Sequence, residues 1–237
     1  MAERPIFVPN PESDELVKEV FLQLIWSPGF ALVQKEKNIE ALHKAAEVAG
    51  YKNILEVSTK SEHKRGQHLS AFHLKVRTRG LGEVPLESVF QGSKVFEKGG
   101  PFVHLYEMEP REAKKDPRIR ESGKLIGFDF EGKEWPLEPK TAFYDWLYAS
   151  SLYPHRDWIK KLSFHDGFSD IEFNPFRSIN CQARSIALFL SLMKRKDLDN
   201  VIESSASFLQ ALQNSSYRPQ LRSDDFASQK LFVQKSI

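Results

Sequence analysis

The chain has 237 residues, 41% of them hydrophobic, with 18 phenylalanines, one cysteine and a formal net charge of +2. There is enough apolar material for one large core, and the lone Cys181 excludes an internal disulfide or a cysteine-rich zinc site. A near-balanced charge excludes a generic polyanion binder. With no apolar run of ~20 residues and no apolar signal core, a soluble, cytoplasmic protein without membrane contact is expected.

In chain order, "PIFVPNPE" reads as a Pro-rich arm without a helical option. "LVKEVFLQLIW" (16–26) is rich in strand formers and ends at the turn "SPG". A helix follows, with Ile39, Leu42, Ala46 and Ala49 at helical spacing and Gly50 as its stop. "NILEVSTKS" reads as a strand, "EHKRGQH" as a polar loop, and "LSAFHLKVRT" (69–78) alternates like a further strand. Gly82 and Pro85 lead into a helix containing Glu87, and from there the pattern is mainly helical. "KGGPF" (98–102) breaks it, and two adjacent glycines there are a weak phosphate-loop signal.

"EPREAKKDPRI" predicts a short helix with its own proline start and stop. "GKLIGFDFEGKEWPLEP" contains a short strand or turn, and "KTAFYDWLYASSLY" (140–153) an aromatic helix. A strongly apolar helix is expected at about 180–194, with one more amphipathic helix through Leu212. The expected fold is α+β, a single domain that is mainly helical with a small N-terminal β-sheet element. Residues 1–66 would be a β-α-β extension packed on a core of 67–213, and 214–237 a polar tail that need not be ordered.

Three polar groups stand out within "ESVFQGSKVF". Glu87, Gln91 and Lys94 lie at i, i+4 and i+7, which on one helix places them in a single narrow stripe. A solvated Glu–Lys face would contribute only a few tenths of a kcal/mol. An inward face would instead hold a desolvated lysine beside a carboxylate. Spacing alone leaves both open. The basic run "REAKKDPRIRESGK" reads first as a solvated helix, with nucleic-acid backbone contact the weaker alternative.

Other polar groups sit in aromatic surroundings. Asp145 lies between Tyr144 and Trp146, suited equally to structural pairing or to function. Asn174, Arg177, Asn180, Gln182 and Arg184 crowd a segment just before the apolar helix. Buried polar groups need partners, and a loop entering a helix N-terminus suits an anionic ligand. Cys181 reads as a small buried filler. Motifs for dinucleotide, P-loop, zinc-protease and serine-hydrolase sites are absent from the sequence.

"PLESVFQGSKVF" resembles the helix motif of the NADAR superfamily (YbiA-like proteins), in which Glu is followed by an aromatic residue, Gln and Lys at +3, +4 and +7. Glu87, Phe90, Gln91 and Lys94 occupy those places. "LSAFHL" resembles the family's preceding segment through Ser70 and Phe72, "EPREAKK" its Glu-Ala-Lys helix, and "RSINCQARSIALFL" its closing segment through Asn180. The resemblance covers about residues 66–195. "FQGSKVFEKGGPF", "WPLEPKTAFYDWLY" and "DIEFNPFRSINCQARS" look like the branch found beside DarT-type toxins, which ADP-ribosylate guanine in DNA. "FNPFRSINCQARS" stands where the wider family has Trp-Asp and Gly-rich pieces.

That resemblance implies an antitoxin glycohydrolase acting on ADP-ribosylated DNA and releasing ADP-ribose, with a DarT-type toxin as functional partner and no metal or cofactor. It implies Lys94 as nucleophile or acid and Glu87 as its proton partner. Gln91 would belong to the same site, with Ser70, Asp145, Asn174 and Asn180 binding substrate. Phe72, Phe96, Tyr144 and Trp146 would stack on bases, and Arg177 and Arg184 would bind pyrophosphate. The alternatives are an N-glycosidase of a small phosphorylated ribosylamine, a non-catalytic ADP-ribose-binding module, and a purely structural partner of the toxin.

Overall fold

A strand, not an arm, opens the chain. In the computed structural model, which describes residues 1–222, β1 (Ala2–Asn10) pairs antiparallel with β2 (Leu16–Leu24) over its full length, from Ala2↔Leu24 to Asn10↔Leu16. Pro5 and Pro9 carry no donor N–H, and beyond β2 the strand meets its other neighbour only at Phe7↔Phe168. The prolines limit a ladder without preventing it. Both faces of β1 are covered. Ile6 packs with Leu22 and Leu24 against α1 (Leu32–Val48), where Ile39, Leu42 and Ala46 are buried. Phe7 faces the main core. Ala49, expected in the buried stripe, is exposed at the helix end, and Gly50 terminates the helix at φ +93°.

β3 (Ile54–Glu56) is short, and the polar stretch read as a loop contains α2 (Lys64–His68). The expected strand 69–78 forms only at its end. Residues 70–74 turn through hydrogen bonds from the His73 and Leu74 amides to the Ser70 carbonyl, and β4 (Lys75–Thr78) then pairs with β5 (Gly82–Pro85). After α3 (Leu86–Gly92), β6 (Lys94–Phe96) joins β7 (Leu125–Phe130) and β8 (Lys133–Trp135) in a three-stranded sheet. The sequence predicts a short strand or turn where β7 and β8 form, but not β6, because three residues are too few for a strand period to show. Between them, the single expected helix is split in two, α4 (Pro110–Ala113) and α5 (Pro117–Glu121), each with proline in its first turn.

α6 (Ala142–Leu152), α7 (Arg156–Lys160), β9 (Gly167–Ser169), α8 (Gln182–Lys194), α9 (Leu198–Ile202) and α10 (Ser205–Asn214) complete the α+β domain. β9 closes the first sheet in the order β2-β1-β9-β3, parallel to β3. α8 is buried on every side from Gln182 to Leu192, as its apolar sequence requires, and packs between β1, β2 and α6. Residues 214–222 do not form a free tail: Tyr217 is buried and its hydroxyl donates to Asp145 Oδ2 at 3.0 Å. The rest of that predicted tail, 223–237, lies outside the described residues. Among the described residues, no helix is long and apolar enough to cross a membrane.

Candidate active site

Every residue of α3 is buried, including Glu87 at 5% exposure and Gln91 at 4%. The polar stripe is therefore not a solvated face. It is also not one helix: α3 stops at Gly92, and Lys94 begins β6, paired with Phe128. The three side chains meet nonetheless. Lys94 Nζ donates to Gln91 Oε1 at 2.6 Å, and Gln91 Nε2 donates to Glu87 Oε1 at 2.9 Å. A protonated lysine can only donate and a carboxylate oxygen accepts, so the amide turns its oxygen to Lys94 and its NH2 to Glu87. Lys114 Nζ approaches the same Glu87 oxygen at 3.6 Å.

The backbone under Lys94 is held closely. Gly100 has φ +96°, and a Cβ there would collide with the Lys94 carbonyl oxygen. Lys94 Nζ lies 4.9 Å from the centre of the Phe90 ring, and Phe90 meets Tyr144 edge-on at 5.1 Å. Burial draws the Lys94 pKa down to about 8; Glu87 pulls it upward and Lys114 pushes it further down. Burial holds the Tyr144 phenol well above its ordinary value, so it stays protonated.

Two cavities share the wall formed by Phe90, Lys94 and Tyr144. The first, about 540 Å³, is polar. Glu87, Gln91, Lys114, Asp170, Asn174, Arg177 and Gln182 line it together with Ala71 and Phe72. Its far side comes from the N-terminal strands and α1, through Arg4, Trp26 and Lys35. The second, about 460 Å³, is mostly apolar, with Leu125, Phe128, Leu137, Pro139 and Phe143. Arg177, Ser178 and Asn180 border both. Lys94 thus lines both cavities.

Of the residues singled out in the sequence, Phe72, Glu87, Gln91, Lys94, Tyr144, Asn174, Arg177 and Asn180 line this cleft. Five others do not. Ser70 is fully buried behind it, its Oγ accepting weakly from the Phe72 amide at 3.4 Å. Phe96 stacks on Phe102, and Trp146 packs among Phe130 and Trp135. Asp145 is enclosed by hydroxyl donors from Thr141, Ser185 and Tyr217 at 2.6, 2.5 and 3.0 Å, with its pKa raised by burial. Arg184, 2% exposed, donates to Glu19 at 2.8 Å and to the Ile179 carbonyl, between the rings of Phe7 and Phe173. Its charge is already matched inside the protein, so the pyrophosphate reading of Arg184 is corrected to a structural one.

Sequence reasoning did not select Arg4, Trp26, Lys35, Lys114, Asp170 or Gln182 for the site. Lys114 had a signal, the Glu-Ala-Lys run of 112–114. Gln182 was noted only as part of the polar segment; its Oε1 accepts from the Ala71 amide at 2.9 Å, which braces the turn before Phe72. Asp170 carries a pKa pushed well up by burial and by the neighbouring Glu56, itself buried and shifted upward. Arg4, Trp26 and Lys35 come from the other end of the chain and had no local signature.

A family model described as the DarT1-associated NADAR antitoxin matches residues 2–221. The matched span includes β1, β2 and α1, which lie before the stretch whose motifs are legible by eye. A search of curated proteins gives no match.

Proposed function

Because the chain belongs to the family of DarT1-associated NADAR antitoxins, whose functional partner is a DarT toxin, we propose that it reverses the toxin enzymatically, as a glycohydrolase removing ADP-ribose from guanine in DNA. The observation carrying this reading is the Glu87–Gln91–Lys94 chain at the junction of a polar and an apolar cavity. A bipartite cleft fits a bipartite substrate. ADP-ribose takes the polar side, the guanine takes the apolar side against Phe128 and Tyr144, and the scissile bond falls beside Lys94.

In this mechanism the neutral Lys94 amine adds to the anomeric carbon while the bond to guanine breaks. The bonding electron pair leaves with the guanine nitrogen, which takes up the proton that the attacking amine sheds on forming its new bond to carbon. Glu87 stabilises the positive charge that develops at the sugar, and Gln91 holds the amine in line. Opening of the ribose gives a Schiff base, and water then releases ADP-ribose and restores Lys94. With a pKa of about 8, roughly one Lys94 in ten is neutral at pH 7. An unperturbed lysine near 10.4 would almost never be.

The test is incubation of the purified protein with an oligonucleotide ADP-ribosylated on guanine, followed by mass analysis. Unmodified DNA and free ADP-ribose are expected. Borohydride added during turnover should leave an ADP-ribose adduct on Lys94, and Lys94→Arg should lose both activity and adduct. Activity on thymine-linked ADP-ribose with none on guanine overturns the substrate. Saturable binding without product identifies a binding module instead, and turnover confined to small phosphorylated ribosylamines identifies the rival glycosidase.

A further inference from the structure

Among the described residues, the cleft holds more cations than its carboxylates pair. Five basic side chains line the polar cavity: Arg4, Lys35, Lys94, Lys114 and Arg177. Its three acids are accounted for. Glu172 pairs with Lys35 at 3.1 Å, Glu87 is shared by Gln91 and Lys114, and Asp170 is biased towards its neutral form. Arg4 has no carboxylate within ion-pair distance among the described residues. Its Nε is buried without a hydrogen-bond partner, its Nη1 reaches only the carbonyl of the adjacent Glu3, and its guanidinium lies 4.6 Å over the Trp26 ring.

Arg4 is half-buried, and a guanidinium with a buried, unpartnered Nε and no counter-ion is costly unless something else supplies the charge. Trp26 packs against the group but offers no acceptor. Arg4 shares a face of β1 with Ile6, which is fully buried, so the strand holds the side chain at the cavity edge. A fork of N–H donors held in one plane suits a phosphate oxygen pair. Arg184, the other candidate, has its own acceptors, and Arg177 lies on the border of the two cavities.

The geometry points to Arg4, packed against Trp26, as the anchor for a phosphate or pyrophosphate group in the polar cavity, so that the N-terminal strand completes the ligand site. That the group belongs to ADP-ribose rests on the function proposed above; that the site takes a phosphate anion does not.

The experiment is calorimetric titration of wild type, Arg4→Gln and Arg4→Lys with ADP-ribose and with inorganic pyrophosphate, each protein first checked by thermal melting. Arg4→Gln should bind both ligands at least tenfold more weakly, and Arg4→Lys should fall between it and wild type. In wild type, ADP-ribose should protect Arg4 from phenylglyoxal, an arginine reagent, which needs no variant to fold. Wild-type affinity for both ligands in a folded Arg4→Gln protein overturns the inference, and so does modification of Arg4 unaffected by saturating ligand. If Arg4-dependent pyrophosphate binding persists in a protein that fails to release ADP-ribose from guanine, this inference stands and the proposed reaction falls. If the reaction proceeds and Arg4→Gln binds normally, the reverse holds.

Discussion

Lys94 has a carboxylate two hydrogen bonds away, yet its pKa falls. Glu87 raises it electrostatically from beyond Gln91, burial lowers it by desolvating the amine, and burial wins. The sign sets a pH profile. The reactive form is the deprotonated amine, so the single-turnover rate should rise about tenfold per pH unit below the Lys94 pKa and level off above about 8. Lys114 contributes to the depression. Lys114→Gln should therefore move the midpoint to higher pH, as read by the same rate measurements. An acid role for Lys94 gives the opposite limb, with activity falling above 8, and that outcome would retire the covalent route.

At the level of elements, the amine is placed by a junction and not by a helix. α3 ends at Gly92, β6 starts at Lys94, and the close backbone approach at Gly100 holds that start against the following loop. Gly100→Ala would have to move the Lys94 carbonyl. It should cost about 1–3 kcal/mol in urea unfolding and roughly a hundredfold in turnover, because misplacing a reacting group by about 1 Å has that scale of effect. Gly50→Ala is the comparison. Its φ of +93° is equally unfavourable for alanine, but a Cβ there meets nothing within 4 Å and the residue lies at the end of α1. That variant should lose stability and keep its rate. Equal activity loss in both would show that global destabilisation, not the position of Lys94, is responsible.

Across the whole molecule, the N-terminal sheet is held to the core by buried charge as well as by apolar packing. Arg184 on α8 reaches Glu19 on β2 and the Ile179 carbonyl, and lies against Phe7 of β1 and Phe173. Removing one partner of such a pair costs more than the pair contributes, because the other charge stays behind. Arg184→Ala should lose about 3 kcal/mol, or about 6–12 °C in Tm for a domain of this size. ADP-ribose affinity measured well below that Tm should be unchanged. A folded variant with normal Tm and lost affinity would return Arg184 to the binding site. Asp145 plays a similar part at the other end of the chain, where Tyr217 closes the last described segment onto α6 and α8.

What the sequence by itself determined is what local spacing can carry. α1, α6 and α8 were legible because a helix buries residues at a fixed period, and Glu87, Gln91 and Lys94 because their motif survives the break at Gly92. The α+β class and the family followed from the same short runs. Only the tertiary structure decided which polar groups face the cleft. Asp145 and Arg184 stand out in the sequence and Arg4 does not, yet the first two find partners far along the chain, Tyr217 and Ser185 for Asp145 and Glu19 for Arg184, whereas Arg4 meets no carboxylate among the described residues. β1 was hidden for the same reason. A strand gains its hydrogen bonds from another segment, so Pro5 and Pro9 read as an arm until β2 lies beside them. Residue type is local, whereas burial and pairing are not.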